Sequence, residues 1–189
     1  YKFTLNSGSW DIANGITNAG GSISIYSYFT MPFGMDYAEN GSTKYLYITS
    51  YGADEILQYD VTTWAPSTPI VQTSSLTTLF PSIIQSNSNI GSIRLTKDGT
   101  RMFMLVGNYE YVYEIDLSTP YDLSTMAYNN VSFYMGADYN ATGMAFDRLN
   151  GTRMYLNANS NNPDHPRDTI FEYSLDGTGL PTPTPTPTP

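Results

Sequence analysis

The chain contains no cysteine, which excludes disulfides and thiolate metal sites. Compartment is not settled by this, because a domain of 189 residues needs no covalent staple. Histidine occurs once, as His165, and no Ser/His/Asp motif is recognisable around it. Basic residues are scarce, 8 against 17 acidic ones, for a net charge of −9. That balance lacks the basic footprint that nucleic acid requires and disfavours anionic lipid surfaces. No apolar run approaches the roughly 18 residues of a membrane span. No long helical period, phosphate-binding glycine loop, zinc signature or nucleophile elbow occurs. No cofactor is therefore expected.

What the chain does have is repetition. Three segments share one pattern: Phe33-Gly34-Met35 to Leu57-Gln58-Tyr59-Asp60-Val61, Gly91 to Tyr113-Glu114-Ile115-Asp116-Leu117, and Gly143-Met144 to Phe171-Glu172-Tyr173-Ser174-Leu175. The leading glycines Gly34, Gly91 and Gly143 recur at intervals of about 50–60 residues, a period typical of propeller blades. Within each repeat a turn dipeptide falls in register: Asn40-Gly41, Asp98-Gly99 and Asn150-Gly151. Such dipeptides tolerate positive φ and close β-hairpins. The pattern predicts first, second and third strands at Ser92–Thr96, Arg101–Val106 and Tyr111–Leu117 in the second repeat. Third strands alternate apolar and polar residues, as expected where one face is buried and the other meets water or a neighbouring blade. Aromatics are plentiful, with 17 Tyr and 8 Phe, and suit half-buried strands.

The beginning of the chain matches the second half of a repeat. Tyr1–Leu5 reads as a third strand, and Trp10-Asp11-Ile12-Ala13 parallels Tyr121-Asp122-Leu123-Ser124. Fourth strands are expected near Ser22–Tyr28, Pro69–Gln72 and Val131–Tyr134. The predicted fold is all-β: an antiparallel, propeller-like array of about three and a half four-stranded blades, open at both ends. Residues 1–30 form a half blade, 31–90 and 91–140 full blades, and 141–179 a partial blade without a fourth strand. No leader-like stretch precedes the first strand pattern, which the sequence reads as a mature or truncated N-terminus. Residues 180–189 alternate Pro and Thr and predict a polyproline II stalk or linker, with Thr182, Thr184, Thr186 and Thr188 as candidate O-glycosylation positions.

Few residues suggest chemistry. His165 lies in an insertion, Asn161–Asp168, and reads as a loop histidine; Asp164 and Asp168 lack the ligand spacing of a calcium loop. Asp60 and Asp116 recur at one repeat position, which suits a backbone-capping turn device better than a glycosidase pair. Trp10, Trp64 and Tyr121 follow third strands, where an aromatic either seals a blade edge or offers a face to sugar or protein. Asn40, Asn130, Asn140 and Asn150 head Asn-x-Ser/Thr sequons in expected turns or strand edges and are candidate N-glycosylation positions.

Lys97-Asp98-Gly99-Thr100-Arg101-Met102-Phe103 followed by Tyr113-Glu114-Ile115-Asp116-Leu117-Ser118-Thr119-Pro120-Tyr121-Asp122-Leu123-Ser124-Thr125 resembles a propeller-type repeat of secreted, cell-surface and phage-associated proteins. Its usual form is "DGT-M-Y" followed by "VYEYDLSTPWDLST". The likeness covers residues 1–178 and is closest in the second repeat; the first departs at Asn40-Gly41-Ser42 and Trp64-Ala65. The resemblance implies a β-propeller architecture with binding or structural roles, and it transfers no catalytic motif. The expectation is a non-catalytic, extracellular or cell-surface structural or adhesive protein, a subunit of a self-assembling filament, appendage or sheath. Its expected partners are other copies of itself, joined head to tail, and glycan. A carbohydrate-binding propeller module on a Pro/Thr linker, or a fragment of a larger propeller, is the alternative; a propeller hydrolase or lactonase ranks last.

Overall fold

The computed structural model describes residues 3–5, 16–18, 31–50, 54–63, 68–73, 76–80, 84, 89–135, 139–147, 152–160, 169–175 and 181–183. They form a propeller-like array of antiparallel sheets. A two-stranded ribbon pairs β1 (Phe3–Leu5) with β2 (Ile16–Asn18). The first sheet runs β3 (Pro32–Asn40), β4 (Thr43–Ser50), β5 (Ile56–Asp60), β6 (Val71–Gln72). The second runs β7 (Ile90–Leu95), β8 (Arg101–Val106), β9 (Tyr111–Leu117), β10 (Met126–Tyr134). The third runs β11 (Tyr139–Phe146), β12 (Arg153–Ser160), β13 (Thr169–Leu175), β14 (Pro181–Pro183). In each sheet chain order equals strand order, the meander of a propeller blade. The first strands β3, β7 and β11 lie side by side, which leaves β6, β10 and β14 as outer edges. The one α-helical turn among the described residues, Leu76–Leu79, buries Leu76 between the first two sheets.

The hairpins form where the dipeptides demand them. Gly41 and Gly99 have φ of +60° and +70°, a region in which a Cβ is penalised. Asn150-Gly151 lies outside the described residues.

Burial is two-sided in the middle sheet. Met102, Met104, Tyr113 and Ile115 face back toward the first sheet and share a core with Tyr47, Ile56, Leu76 and Phe80. Leu105 and Val112 face forward and share a second core with Ala141, Met144, Met154, Leu156 and Tyr173. The alternating third strand, Tyr113-Glu114-Ile115-Asp116, thus has a neighbour on each face, and even Glu114 is buried. Edge-on aromatic packing of Phe133 against Tyr173, ring centres 4.7 Å apart, closes the second seam.

Four expectations are corrected. The partner of the first strand is Ile16–Asn18, earlier than the expected Ser22–Tyr28, which lies outside the described residues. The glycine series is not in strict register: β3, β7 and β11 each carry one bulge, and after it Ser92 stands opposite Leu105 where Gly143 stands opposite Asn157, so Gly91 precedes the true equivalent. The third sheet has a fourth strand after all, because Pro181–Pro183 pairs with Leu175–Tyr173. The beginning of the Pro/Thr segment is therefore an edge strand and not yet a free rod; an edge needs hydrogen bonds on one side only, which is where proline is tolerated in sheets. The fourth correction concerns Tyr121 and is described with the site.

Candidate functional site

A buried polar construction sits in the seam between the first and second sheets. Gln58 is on β5, alternating with Leu57 and Tyr59, and its position aims it forward at the next sheet. It is 2% exposed, yet both ends of its amide are bonded. Nε2 donates to the Tyr121 carbonyl at 2.8 Å, and Oε1 accepts from the Leu123 backbone N–H at 3.0 Å. The Tyr47 hydroxyl donates to the same Tyr121 carbonyl at 2.8 Å. Burial raises the Tyr47 phenol well above its ordinary range, so it stays a donor.

Tyr121 itself holds φ of +66°, a left-handed conformation unusual for a bulky residue. Its N–H donates to the Gly99 carbonyl at 2.9 Å, its hydroxyl donates to the Lys97 carbonyl, and its ring stacks on Tyr45 with centres 6.2 Å apart. Its ring lies over Gly99, where an added Cβ would come within 2.5 Å of it. Tyr121 is buried and bolts the Asp98-Gly99 turn to the following loop. Of the two readings of Tyr121, the alternative of a face offered to sugar or protein is corrected, because the ring is buried and packs internally as a seal. We expect Gly99→Ala to cost about 2–4 kcal/mol, combining left-handed strain with displacement of Tyr121, whereas Gly41→Ala costs about 1 kcal/mol. Nothing lies within 4 Å of a Cβ at Gly41. Urea melts of the two variants check this, and equal losses would contradict the role given to Tyr121.

A second tie lies on the inner strands. Arg94 Nη1 donates to the Met35 carbonyl at 2.8 Å and sits 3.6 Å from the Asp36 carboxylate, which accepts from the Leu95 N–H at 2.8 Å. In the second seam, Glu114 takes the repeat position of Gln58. Its Oε1 accepts from Asn129 Nδ2 at 2.8 Å and lies 3.2 Å from Arg101 Nη1. Glu114 borders a void of about 10 Å³ with Phe103, Val112 and Met154, space for about one water and no substrate.

The remaining candidates scatter. Hydrogen bonds from the Thr62 side chain and then from the Thr62 N–H, the latter at 2.8 Å, hold the Asp60 carboxyl below the usual range and fit the turn-device reading. Asp116 accepts from Asn129 at 3.2 Å and does not meet Asp60. Asn40 is exposed at the first hairpin. Asn130 is exposed with φ of +66° at the bulge in β10; Asn129 Oδ1 accepts from the Val131 N–H at 3.0 Å across that bulge and so turns Asn130 outward. Asn140 and Thr182 lie in β11 and β14, with side chains outside the described set. Trp10, Trp64, Asn150, His165, Thr184, Thr186 and Thr188 lie outside it altogether. Among the described residues, no group of three His, Cys, Asp or Glu could hold a metal ion, and no helix is long and apolar enough to cross a membrane. Sequence reasoning missed Gln58 and Arg94, both read as ordinary strand residues.

No family model and no curated protein matches the chain. Solved structures do. A Lactobacillus plantarum protein aligns over 82% of this chain with a TM-score of 0.55 and 14% identity. A candidate 6-phosphogluconolactonase of Bacteroides uniformis aligns over 96% with a TM-score of 0.54 and 14% identity. KlAtg21, solved with the coiled coil of AgAtg16, aligns over 82% with a TM-score of 0.51 and 17% identity. At such identities the likeness is one of fold. The chain spans 40%, 49% and 43% of those three chains respectively.

Proposed function

We propose that this chain is a non-catalytic structural module of an extracellular or cell-surface assembly, built from propeller-type blades that pack on further copies of itself. The observation that supports it most directly is the use of the polar side chains in the first seam: Gln58, Tyr47, Asp36 and Arg94 all bond groups of the neighbouring sheet and serve cohesion between those two blades. The likeness to a candidate lactonase brings no residue set with it, since the acids Asp60 and Asp116 are engaged separately in local bonds. The Pro/Thr segment and the resemblance to repeats of surface proteins favour display outside the cell.

The test is the full chain in solution. Light scattering across a concentration series should show species heavier than the 21.0 kDa chain, while 6-phosphogluconolactone hydrolysis stays at the buffer rate. A monodisperse monomer at every concentration, or turnover above buffer, overturns the proposal.

A further inference from the structure

The outer strand of the middle sheet is interrupted at two asparagines. Tyr128 stands opposite Ile115 and Val131 opposite Glu114, so Asn129 and Asn130 both fall out of the ladder of β10. The bonds that hold this bulge are made by Asn129. Its Nδ2 donates to Glu114 Oε1 at 2.8 Å and to Asp116 Oδ1 at 3.2 Å, and its Oδ1 accepts from the Val131 N–H at 3.0 Å. Asn130 is left exposed with φ of +66°, a left-handed backbone that asparagine tolerates better than most residues. Among the described residues β10 is the end strand of its sheet, so the bulge stands on a free edge. Asn130-Val131-Ser132 is also an acceptor sequon. The other sequons are placed differently. Asn40 is exposed but stays in its ladder, paired with Thr43, and Asn140 is paired with Asn159 on the inner strand of the third sheet.

We infer that Asn130 is a site of N-linked glycosylation, presented by the bulge of β10. The proposal rests on the extracellular half of the reading above, since the modification is made on exported chains. The bulge divides the labour of two adjacent amides: Asn129 holds the backbone and Asn130 faces water. A sugar on Asn130 therefore breaks no bond of the bulge and displaces no ladder pair. In the reaction the Asn130 Nδ2 gives up one proton and forms a C–N bond to the first sugar of a lipid-linked oligosaccharide diphosphate. The C–O bond between that sugar and the diphosphate breaks, and the lipid diphosphate leaves. A glycan at this position stands beside the free edge of the middle sheet, where bulk hinders pairing with a strand of another chain.

The test is to secrete the full chain, behind a leader, from cultured animal cells and to map its glycopeptides by mass spectrometry. Most of the peptide that spans Asn130 should carry sugar, and peptide N-glycosidase should convert Asn130 to Asp in that peptide. Ser132→Ala, which leaves the bulge residues untouched, should abolish this glycan and spare those at other sequons. Removing the sugar from the folded chain should leave the melting temperature unchanged. A bare Asn130 in the secreted chain overturns the proposal. So does a melting temperature that rises when the sugar is removed, because the bulge would then be strained by what it is said to present. Either failure leaves the light-scattering test of assembly standing, and a monomeric chain in that test leaves the glycan standing.

Discussion

Replacing Gln58 by leucine should lower stability by about 2–4 kcal/mol, even though leucine is the better core residue by size and polarity. The substitution fills much the same volume, so little of the cost comes from a cavity. It comes from the groups left behind. The Leu123 N–H loses its acceptor and the Tyr121 carbonyl keeps only the Tyr47 hydroxyl, both in a buried seam. Each orphaned buried group costs about 1–3 kcal/mol, partly recovered by apolar burial. For a chain of this size that shift lowers the melting temperature by roughly 5–15 °C. A differential scanning melt settles it, and a change below about 2 °C would mean the seam bonds are dispensable.

Gln58→Glu sharpens the same argument through pH. The equivalent positions carry Glu114 and Glu172, so the residue type is at home in the repeat. In this seam, however, one carboxylate oxygen would face the Tyr121 carbonyl in place of a donor. Burial and that carbonyl favour the protonated acid, which raises its folded pKa above the unfolded value of about 4.3. The folded state then binds the extra proton between the two values, so the variant loses stability as pH rises through its folded pKa. Its deficit against the unaltered chain should therefore grow as pH rises from about 4.5 to about 8. An invariant deficit across that range would place the side chain in water.

The sequence made the turns legible for a reason that is local. Asn40-Gly41 and Asp98-Gly99 supply residues for which positive φ is cheap, and no distant contact is needed to read them. Third strands were legible through alternation of Tyr113, Ile115 and Leu117. That alternation could not reveal that Val112 and Glu114 are buried too, because the second covering sheet comes from residues more than twenty positions away. Gln58 was hidden by the same rule, since a polar residue between Leu57 and Tyr59 reads as the wet face of a strand. Tyr121 was placed in its loop correctly, but its left-handed backbone and its burial over Gly99 depend on which ring fills the space above a turn. Pro181–Pro183 was read from what proline cannot donate, while an edge strand asks only that its carbonyls accept. The seam was thus visible as repetition and invisible as a site.

The glycine at the head of the first repeat carries the largest expected effect of a single added methyl group. Gly34 has no need of positive φ; its constraint is space. A Cβ there would stand 2.6 Å from the Gly91 carbonyl oxygen, 2.8 Å from Thr49 Oγ1 and 3.0 Å from the Ser92 Cα. Two of those three atoms are backbone of the neighbouring inner strand, which cannot rotate away as a side chain would. Thr49 is also fixed, since its hydroxyl oxygen accepts from the Gly34 N–H at 2.8 Å. Gly34→Ala must therefore push β3 and β7 apart, and with them the Arg94 bond to Met35 and the Asp36 bond to Leu95. We expect a loss of about 3 kcal/mol or more, at the upper end for overpacking. Gly91→Ala serves as the control. Its Cβ would meet Thr142 and Ala141 carbonyl oxygens at 3.2 and 3.3 Å, a few tenths of an ångström of relief away from ordinary contact, so its cost should stay near 1 kcal/mol. Denaturant midpoints measured side by side decide the matter. If Gly34→Ala is no worse than Gly91→Ala, the inner strands do not approach as closely as the seam requires, and the close blade-on-blade packing described for β3 and β7 loses its foundation.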